Sequence, residues 1–324
     1  MKIDFKILWL LILVTACNKV EENQYTVFSE IEEISASEII DLTTPGDGKF
    51  FYPKFTATGS KAVFTTENYS GLWYYDFETK IINQLNPSIG AGINFDVSKT
   101  GEKVYFRLQS TSAKGDIRNY SIAEQDINSK LINILYTSQN YISGPKPLDD
   151  GNVAFLFDNG IKVLNGKDKK FIDDYDTENL IAFADGNSIK YLKLGKSELV
   201  IPYSEGNILW VEVSSKNDNI YFNNSEKGTG VYKIESKEII WLGDYKYLRC
   251  SNSSNLLVYS YYENFNYDLF FSVEGSLKRY NFSKSSNENE IFPSWSADGE
   301  RIIYNTAEGI IKLAKLKIIS GSNV

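Results

Sequence analysis

The titratable side chains of this sequence supply carboxylates but no imidazole. The 324 residues include 42 Asp and Glu, 34 Lys and Arg, and no histidine. Histidine is the commonest general base and the commonest metal ligand, so its absence removes both uses at once. A Ser-His-Asp or Cys-His nucleophile is excluded, and so is a zinc site built on histidine. We expect no cofactor.

Carboxylates are the groups that are left for catalysis or metal binding. A pair of them could cleave a glycosidic bond. Four aspartates recur near the ends of apolar stretches, namely Asp96, Asp150, Asp185 and Asp298. Aspartate also stabilises tight turns by hydrogen bonding to the local backbone, and we interpret all four as turn residues. The acidic runs 173–176 and 288–290 lack the spacing of a known calcium loop. The sequence therefore predicts no catalytic and no metal-ligating residue, and it does not favour an enzyme.

Aromatic side chains provide the candidate binding site. Phe, Trp and Tyr make up 14% of the chain, and two similar stretches, 67–69 and 263–265, each place Glu and Asn before an aromatic residue. Exposed aromatic residues beside polar ones can stack on a sugar or anchor a protein partner. We predict a binding patch at these stretches, and packing between neighbouring strands is the alternative use of the rings. The patch comprises Glu67, Asn68, Tyr69, Tyr262, Asn264, Phe265 and Tyr267.

A repeated unit of about 40 residues determines where these loops lie. The clearest copies are residues 52–65 and 292–305, which align without a gap. Each reads as a short strand, a turn centred on Gly59 or Gly299, and a second strand of alternating apolar residues. Less complete copies cover residues 93–106, 145–157, 180–194, 209–222 and 247–259.

The copy at 292–305 carries the pattern aromatic-Pro-x-aromatic-Ser-x-Asp-Gly-x-x-Ile-x-Tyr, which resembles the WD-like repeat of TolB-like β-propellers. The copy at 52–65 departs from the pattern with Thr58 in place of Asp, and the copy at 93–106 lacks the proline. The resemblance implies an all-β propeller of four-stranded antiparallel blades. Seven copies favour seven blades. Two units in the middle of the chain are short, so either one blade is three-stranded or the two units merge, and six blades is the alternative.

The last repeat lacks an outer strand of its own. The apolar segment 309–317 supplies its third strand and leaves the fourth missing, whereas residues 38–44 read like an outer strand. We therefore predict that residues 38–44 pair into the last blade, so that both chain ends seal the ring and limit exposed strand edges. Residues 38–319 then form a single propeller domain.

The first residues of the chain have the layout of an export signal. Lys2 and Lys6 supply positive charge before an apolar run at 7–14, which is too short to cross a bilayer. Residues 14–17 resemble the bacterial lipobox, whose cysteine is acylated and becomes the new N-terminus. A conventional secretory signal is the alternative.

The export signal predicts how the chain is processed. We expect a lipoprotein signal peptide at 1–16, lipidation of Cys17, and a polar tether at 17–37. The acyl chains would anchor the protein at a bacterial membrane on the extracytoplasmic side, either facing the periplasm or at the cell surface. Cys250, the other cysteine, is interpreted as a small buried apolar residue.

Charge and resemblance together suggest a class of partner. The formal net charge of -8 and the pI near 4.9 disfavour nucleic acid. The resemblance to TolB-like propellers implies a membrane-tethered, non-catalytic protein-interaction module of the cell envelope that binds another envelope protein. The alternative is a carbohydrate-binding or carbohydrate-cleaving lipoprotein that uses loop aromatics and carboxylates on a glycan.

Overall fold

The described part of the chain consists of strands and their connections. The computed structural model describes residues 25–111, 117–173, 175, 179–193, 199–202, 205–285 and 287–320. The predicted signal peptide at 1–16 and Cys17 lie outside these residues. Within the described ranges, no helix has the length and apolar character needed to cross a bilayer.

Seven antiparallel sheets follow one another around a central axis. In the described residues they contain 27 strands, and the strands of each sheet are called A to D from the axis outward. The A strands contact one another around the axis. The protein is thus a seven-bladed β-propeller, which confirms the prediction of seven blades rather than six. Blade 4, the short unit near residue 180, has three strands in the part that the structure describes.

The strand bounds follow the repeat. Blade 1 consists of β2 (Phe50–Phe55), β3 (Lys61–Thr66), β4 (Ser70–Asp76) and β5 (Ile81–Ile89). Blade 2 consists of β6 (Asp96–Val97), β7 (Lys103–Thr111), β8 (Arg118–Asp126) and β9 (Ile132–Ser138). Blade 3 consists of β10 (Lys146–Pro147), β11 (Val153–Phe157), β12 (Gly160–Leu164) and β13 (Phe171–Ile172). Blade 4 consists of β14 (Ile181–Asp185), β15 (Ser188–Leu192) and β16 (Leu199–Pro202). Blade 5 consists of β17 (Ile208–Val213), β18 (Asn219–Asn224), β19 (Gly228–Lys233) and β20 (Glu238–Gly243). Blade 6 consists of β21 (Lys246–Cys250), β22 (Leu256–Glu263), β23 (Asn266–Val273) and β24 (Tyr280–Asn281). Blade 7 consists of β25 (Glu290–Trp295), β26 (Arg301–Thr306), β27 (Ile311–Ser320) and β1 (Ile31–Asp41).

The turn between strands A and B shows why the repeat has its Ser-x-Asp-Gly sequence. In blade 7, the Asp298 carboxylate accepts the backbone N–H of Glu300 at 2.9 Å, and the Ser296 hydroxyl accepts the N–H of Arg301 at 3.0 Å. Gly299 has φ 72°, a conformation that glycine adopts without strain. In blade 1, the hydroxyl of Thr58 replaces the carboxylate and accepts the N–H of Ser60 at 3.2 Å. Local hydrogen bonds therefore form the turn with or without an aspartate.

The N-terminal strand closes the ring. β1 pairs antiparallel with β27, with Ile39 opposite Ala314 and Asp41 opposite Lys312. The prediction that residues 38–44 complete the last blade is confirmed in its pairing, although the strand begins at Ile31 and ends at Asp41. It starts earlier because Ile31 and Ile34 are buried in the apolar core between blades 6 and 7.

The apolar core lies between neighbouring blades. In six blades the middle of strand B carries a fully buried aromatic residue, namely Phe64, Phe106, Phe155, Phe222, Tyr259 and Tyr304. These are the apolar positions of the second strand of the repeat, so sheet-on-sheet packing explains the alternation seen in the sequence. Cys250 is buried in the cluster that contains Leu248 and Leu257, as the sequence predicted, and burial raises the pKa of its thiol.

Candidate functional site: an aromatic arc and a charged cavity at opposite ends

The connections alternate between the two ends of the ring because the strands of each blade are antiparallel. We call the end that carries the A–B and C–D turns of the six four-stranded blades the A–B face, and the end that carries their B–C hairpins the B–C face. In blade 4, the turn between β14 and β15 lies on the B–C face, where the Gly186 carbonyl accepts the N–H of Ile208 at 2.8 Å. The two predicted stretches are B–C hairpins: residues 67–69 follow β3 in blade 1, and residues 264–265 follow β22 in blade 6. The structure therefore places both halves of the predicted patch on one face, separated by blade 7.

Phe265 is displayed at the tip of its hairpin. Glu263 pairs with Asn266, so the turn contains only Asn264 and Phe265, and their φ angles are 54° and 69°. Two positive φ angles define a type I′ turn, in which Asn is favoured at the first position and Gly at the second. A bulky residue with positive φ is strained. The Phe265 ring is nevertheless 94% exposed, so it gains no packing within the fold.

Blade 3 builds the same hairpin with ordinary turn residues. Its turn contains Asp158 and Asn159, with φ angles of 48° and 62°, between the paired residues Phe157 and Gly160. Asp and Asn tolerate this conformation because their short side chains bond the local backbone. The turn geometry itself therefore does not require an aromatic residue, and Phe265 needs an explanation outside the hairpin.

Rings from blades 1, 7 and 6 touch in series at the B–C ends of the A strands. Tyr69 stacks on Tyr52 with ring centroids 5.3 Å apart, and their hydroxyls lie 2.7 Å apart. The Phe292 ring lies 3.9 Å from that of Tyr52 and 3.9 Å from that of Tyr247. We call these four residues, Tyr69, Tyr52, Phe292 and Tyr247, the aromatic arc. It connects the hairpin of blade 1 to the inner strand of blade 6.

A bulge in each A strand turns the arc residues toward one another. Tyr52, Tyr247 and Phe292 occupy the same position of the repeat and have φ angles of 57°, 54° and 53°. The pairing of strand A with strand B shifts register at each of them. A bulge changes the direction of a side chain and recurs next to binding sites. The sequence pattern places these positions in ordinary strands and does not predict the bulges, although an aromatic residue at the same position of three copies was a signal for the arc.

The remaining predicted residues lie around the arc. Burial raises the pKa of Tyr247, and the phenol groups of Tyr267 and Tyr69 raise it further, which shows that both lie near it. Tyr267 also contacts Tyr262, with ring centroids 5.1 Å apart. Glu67 and Asn68 are exposed at the hairpin tip of blade 1, and within the described part of the chain they have no hydrogen bond or ion pair. The structure thus brings the tyrosines together and leaves Phe265, Asn264, Glu67 and Asn68 at two tips.

A cavity of about 570 Å³ opens at the other end of the axis. Its wall consists of A-strand residues, and its rim includes the exposed residues Lys99, Asn252 and Ala297, which lie at A–B turns. The cavity therefore opens toward the A–B turns, and its lining reaches Asn94, Gly144 and Trp210, which occupy the repeat position of Tyr52.

A belt of charged side chains surrounds this cavity. Five A strands contribute a charge from the same position of the repeat, namely Lys54, Asp96, Lys146, Glu212 and Arg249, which we call the charged belt. Lys54 pairs with Asp96 at 2.8 Å, and Arg249 pairs with Glu212 at 3.3 Å. Burial alone would raise the pKa of Asp96, but the ion pair with Lys54 outweighs burial and lowers it. The interpretation of Asp96 as a turn residue is therefore wrong, because its carboxylate faces the cavity.

Lys146 is the member of the belt that stands alone. Its ammonium group lies 5.3 Å from the centroid of the Phe183 ring and, among the described residues, has no hydrogen bond or ion pair. Burial lowers the pKa of Lys146, and the charges of Glu212 and Asp96 offset only part of that effect. With three cations and two carboxylates, the belt has one positive charge in excess.

The carboxylates of the predicted acidic run near residue 290 do not form a metal site. Glu288 pairs with Lys312 at 2.6 Å, whereas Glu290 is buried. Across the described ranges of the chain, no group of three or more Cys, Asp and Glu residues is arranged to hold a metal ion. The described geometry therefore offers two surfaces suited to binding, one aromatic and one charged.

Comparison with models of protein families finds no match, and comparison with curated proteins finds none either. The seven-bladed propeller is established by its sheets, and the likeness to TolB-like propellers rests on the repeat pattern.

Proposed function

We propose that this protein is a membrane-tethered, non-catalytic protein-interaction module of the bacterial cell envelope, and that its B–C face docks another envelope protein. The single observation that carries the proposal is Phe265, an apolar ring that is 94% exposed on a strained backbone. The lipobox-like sequence before Cys17 and the TolB-like repeat support the location and the role.

The energetics of Phe265 favour a partner. A bulky residue in this backbone conformation costs about 1–3 kcal/mol. Burying a phenylalanine side chain contributes roughly 2 kcal/mol, which folding does not gain here because the ring stays in water. Exposed strain of this kind is retained at binding sites, where an aromatic side chain fills a pocket of the partner. Phe265 therefore has the properties of an interface anchor.

The shape and chemistry of the face favour a protein over a glycan. Phe265 protrudes from a hairpin tip and has no hydroxyl that could bond a sugar. The hydroxyls of Tyr52 and Tyr69 bond each other instead of facing outward as a free pair. The carboxylates of the cavity, Asp96 and Glu212, are ion-paired and lie at the opposite end of the axis. A glycan is the alternative that the experiment below also tests.

The path of the N-terminal residues gives the docking face an orientation. Thr26 donates its N–H to the Ser253 carbonyl at 2.8 Å, and the Tyr25 hydroxyl lies 3.0 Å from that of Ser215. Both partners lie at A–B turns, so the chain reaches the ring at the A–B face. The residues between Cys17 and Tyr25 span about 27 Å at most when extended. A lipid on Cys17 would therefore hold the A–B face toward the membrane and the B–C face away from it.

The test compares two exposed apolar residues on opposite faces. Leu277 is 75% exposed in the C–D connection of blade 6, on the A–B face. Phe265 and Leu277 would each be changed to glycine in the full-length protein. The envelope proteins that co-purify with each variant would be quantified after cross-linking in intact cells. We expect one stoichiometric partner that is lost at least tenfold with Phe265→Gly and retained with Leu277→Gly. Phe265→Gly should also raise the free energy of unfolding by about 1 kcal/mol, because Asn-Gly suits a type I′ turn.

Two results would contradict this proposal. Equal capture by both variants would show that the B–C face is not the docking surface. Binding of the purified propeller to immobilised glycans, lost with Phe265→Gly, would assign the face to carbohydrate instead. The expected gain in the free energy of unfolding of Phe265→Gly shows whether a lost partner reflects the missing ring or an unfolded variant.

A further inference from the structure

Lys54 and Lys146 occupy the same position of the repeat but have different surroundings. Lys54 donates hydrogen bonds to the Asp96 carboxylate at 2.8 Å and to the Phe95 carbonyl at 3.0 Å. Lys146 has the Phe183 ring at 5.3 Å and, in the part of the chain that the structure describes, no hydrogen-bonding partner. An ammonium group held in a cavity wall without an anion is unfavourable, and such groups are normally paired.

Blade 4 explains why Lys146 is left alone. Moving around the belt, blade 1 supplies a cation for the anion of blade 2, and blade 6 supplies a cation for the anion of blade 5. Blade 3 supplies Lys146, but the innermost strand of blade 4, β14, lines the cavity with Phe183 and Ala184. The carboxylates of the belt, Asp96 and Glu212, are already paired with Lys54 and Arg249.

The cavity has room for a small molecule, and its wall combines charged groups with aromatic rings. Its volume of about 570 Å³ lies within the range of small-molecule sites. The half-buried ring of Trp210 and the ring of Phe183 contribute apolar surface beside the belt. Polar and charged groups make up at least as much of the wall as these rings, so the wall can bind both the polar group and the apolar part of a small ligand.

The charge of the belt limits the charge of the ligand. One excess positive charge is neutralised by one carboxylate. A second negative charge, as on phosphate or a dicarboxylate, would face the carboxylates of Asp96 and Glu212 across the same cavity. A singly charged anion with an apolar part therefore fits best.

We propose that the axial cavity on the A–B face is a binding site for a small organic monocarboxylate, whose carboxylate pairs with Lys146 and whose apolar part lies against Trp210. The mouth of this site lies at the A–B turns, whereas the docking residue Phe265 lies at a hairpin tip on the B–C face, so different variants test the two sites. It faces the end at which residues 25–28 reach the ring.

The test uses four probes, namely acetate, benzoate, phenylacetate and octanoate, each titrated into the purified protein and followed by calorimetry and ligand-observed NMR. Phenylacetamide, the neutral counterpart of phenylacetate, is the matched control ligand. We expect at least one apolar monocarboxylate to bind with a Kd on the order of 0.1–1 mM, as for a weak small ligand, and phenylacetamide to bind at least tenfold more weakly.

Variants locate the site. Lys146→Met keeps the length of the side chain, removes the charge, and should weaken binding at least tenfold. Lys103→Met removes a charge outside the cavity, where Lys103 pairs with Glu124 at 3.2 Å, and should change the affinity less than twofold. The pH dependence of binding tests the site without any substitution. Because the pKa of Lys146 is lowered from 10.5, the ordinary pKa of lysine, its charge is lost below that pH, and the affinity for the carboxylate should already fall there as the pH rises. The charged groups that face Lys146 in this titration are Asp96, Glu212, Lys54 and Arg249.

Three outcomes would overturn the proposal. The first is that none of the four probes binds at a concentration 20-fold above the expected Kd of about 1 mM. The second is that phenylacetate and phenylacetamide bind equally well. The third is that a folded Lys146→Met variant binds with unchanged affinity. Should Lys146→Met fail to fold, an affinity that does not change with pH would overturn the proposal by itself.

Discussion

Asp298 and Asp96 lie near the end of strand A in blades 7 and 2, but their carboxylates have different roles. Asp298 bonds the backbone of its own turn, and the pKa of its carboxyl is lowered because hydrogen bonds to Ser296 and Glu300 outweigh the effect of burial. Asp96 lies two residues before the turn begins and pairs with Lys54 of the neighbouring blade 1. The difference of a few positions along strand A decides whether a charge stabilises a turn or lines the cavity.

Glu290 is a buried carboxylate that should make the stability of the protein depend on pH. It is 3% exposed at the start of strand A in blade 7. Burial raises the pKa of Glu290 from 4.5 to about 7, and the charges of Asp268 and Glu288 add to the rise. Because the folded-state pKa is the higher one, the stabilisation is fully present below pH 4.5 and is lost as the pH rises through 7.

Glu290→Gln should remove this dependence, since the amide is neutral at every pH. Compared with the unchanged protein, the variant should have a similar free energy of unfolding at pH 4.5. It should be more stable at pH 8 by an amount on the order of 3 kcal/mol. Urea unfolding at both pH values measures the difference, and parallel pH profiles for the two proteins would refute the assignment.

At the scale of elements, the contact between blades 2 and 3 depends on a residue without a side chain. Gly144 occupies the position at which three other blades carry the rings of the aromatic arc. A Cβ atom at this position would lie 2.4 Å from Asn94 Cβ and 2.6 Å from the Asn94 carbonyl oxygen. The two inner segments therefore approach as closely as backbone atoms permit.

Gly144→Ala should destabilise the propeller by about 1–3 kcal/mol, because an added methyl group must push the inner segments apart. Gly46→Ala is the matched control, since the nearest atom to its added Cβ would be the Thr44 hydroxyl at 3.6 Å. That variant should be neutral or slightly more stable. Thermal and urea unfolding of the two variants test the contact, and equal stabilities would show that blades 2 and 3 adjust freely.

The whole molecule combines a sealed ring with two different ends. Pairing of β1 with β27 supplies the fourth strand of blade 7, so the C-terminal strand β27 lies between two strands instead of forming the outer edge of its sheet. The same arrangement brings residues 25–28 to the A–B face beside the cavity. The lipid anchor and the proposed docking surface would therefore act at opposite ends.

This polarity and the proposed lipid anchor can be tested with the full-length protein, expressed in bacteria and reconstituted in vesicles. Cys17→Ser should abolish labelling by an alkynyl fatty acid and release the protein from membranes. In the anchored protein, a dye at Asn252→Cys on the A–B face should be quenched by nitroxide-labelled lipids several-fold more than a dye at Asn68→Cys on the B–C face. Both positions are exposed, whereas Cys250 is buried and should not be labelled. Equal quenching, or labelling that persists in Cys17→Ser, would contradict the orientation or the anchor.

The sequence by itself determined the repeat and the role of Asp298, because these depend on hydrogen bonds and apolar alternation within a few residues of the chain. It favoured seven blades over six, and the structure decided between them. It also predicted that the N-terminal strand closes the ring, and it placed Cys250 in the core. The start of that strand at Ile31 was not predicted, since it depends on burial between blades 6 and 7.

Only the tertiary structure decided how residues from different blades combine. The arc brings Tyr52 against Phe292 and Phe292 against Tyr247, contacts that exist because blades 1, 7 and 6 meet around the axis. Lys146 and Lys54 look alike in the repeat, and their difference depends on which side chain the next blade supplies. Such contacts are set by ring closure and by charge pairing between neighbouring blades, and no local pattern in the chain specifies them.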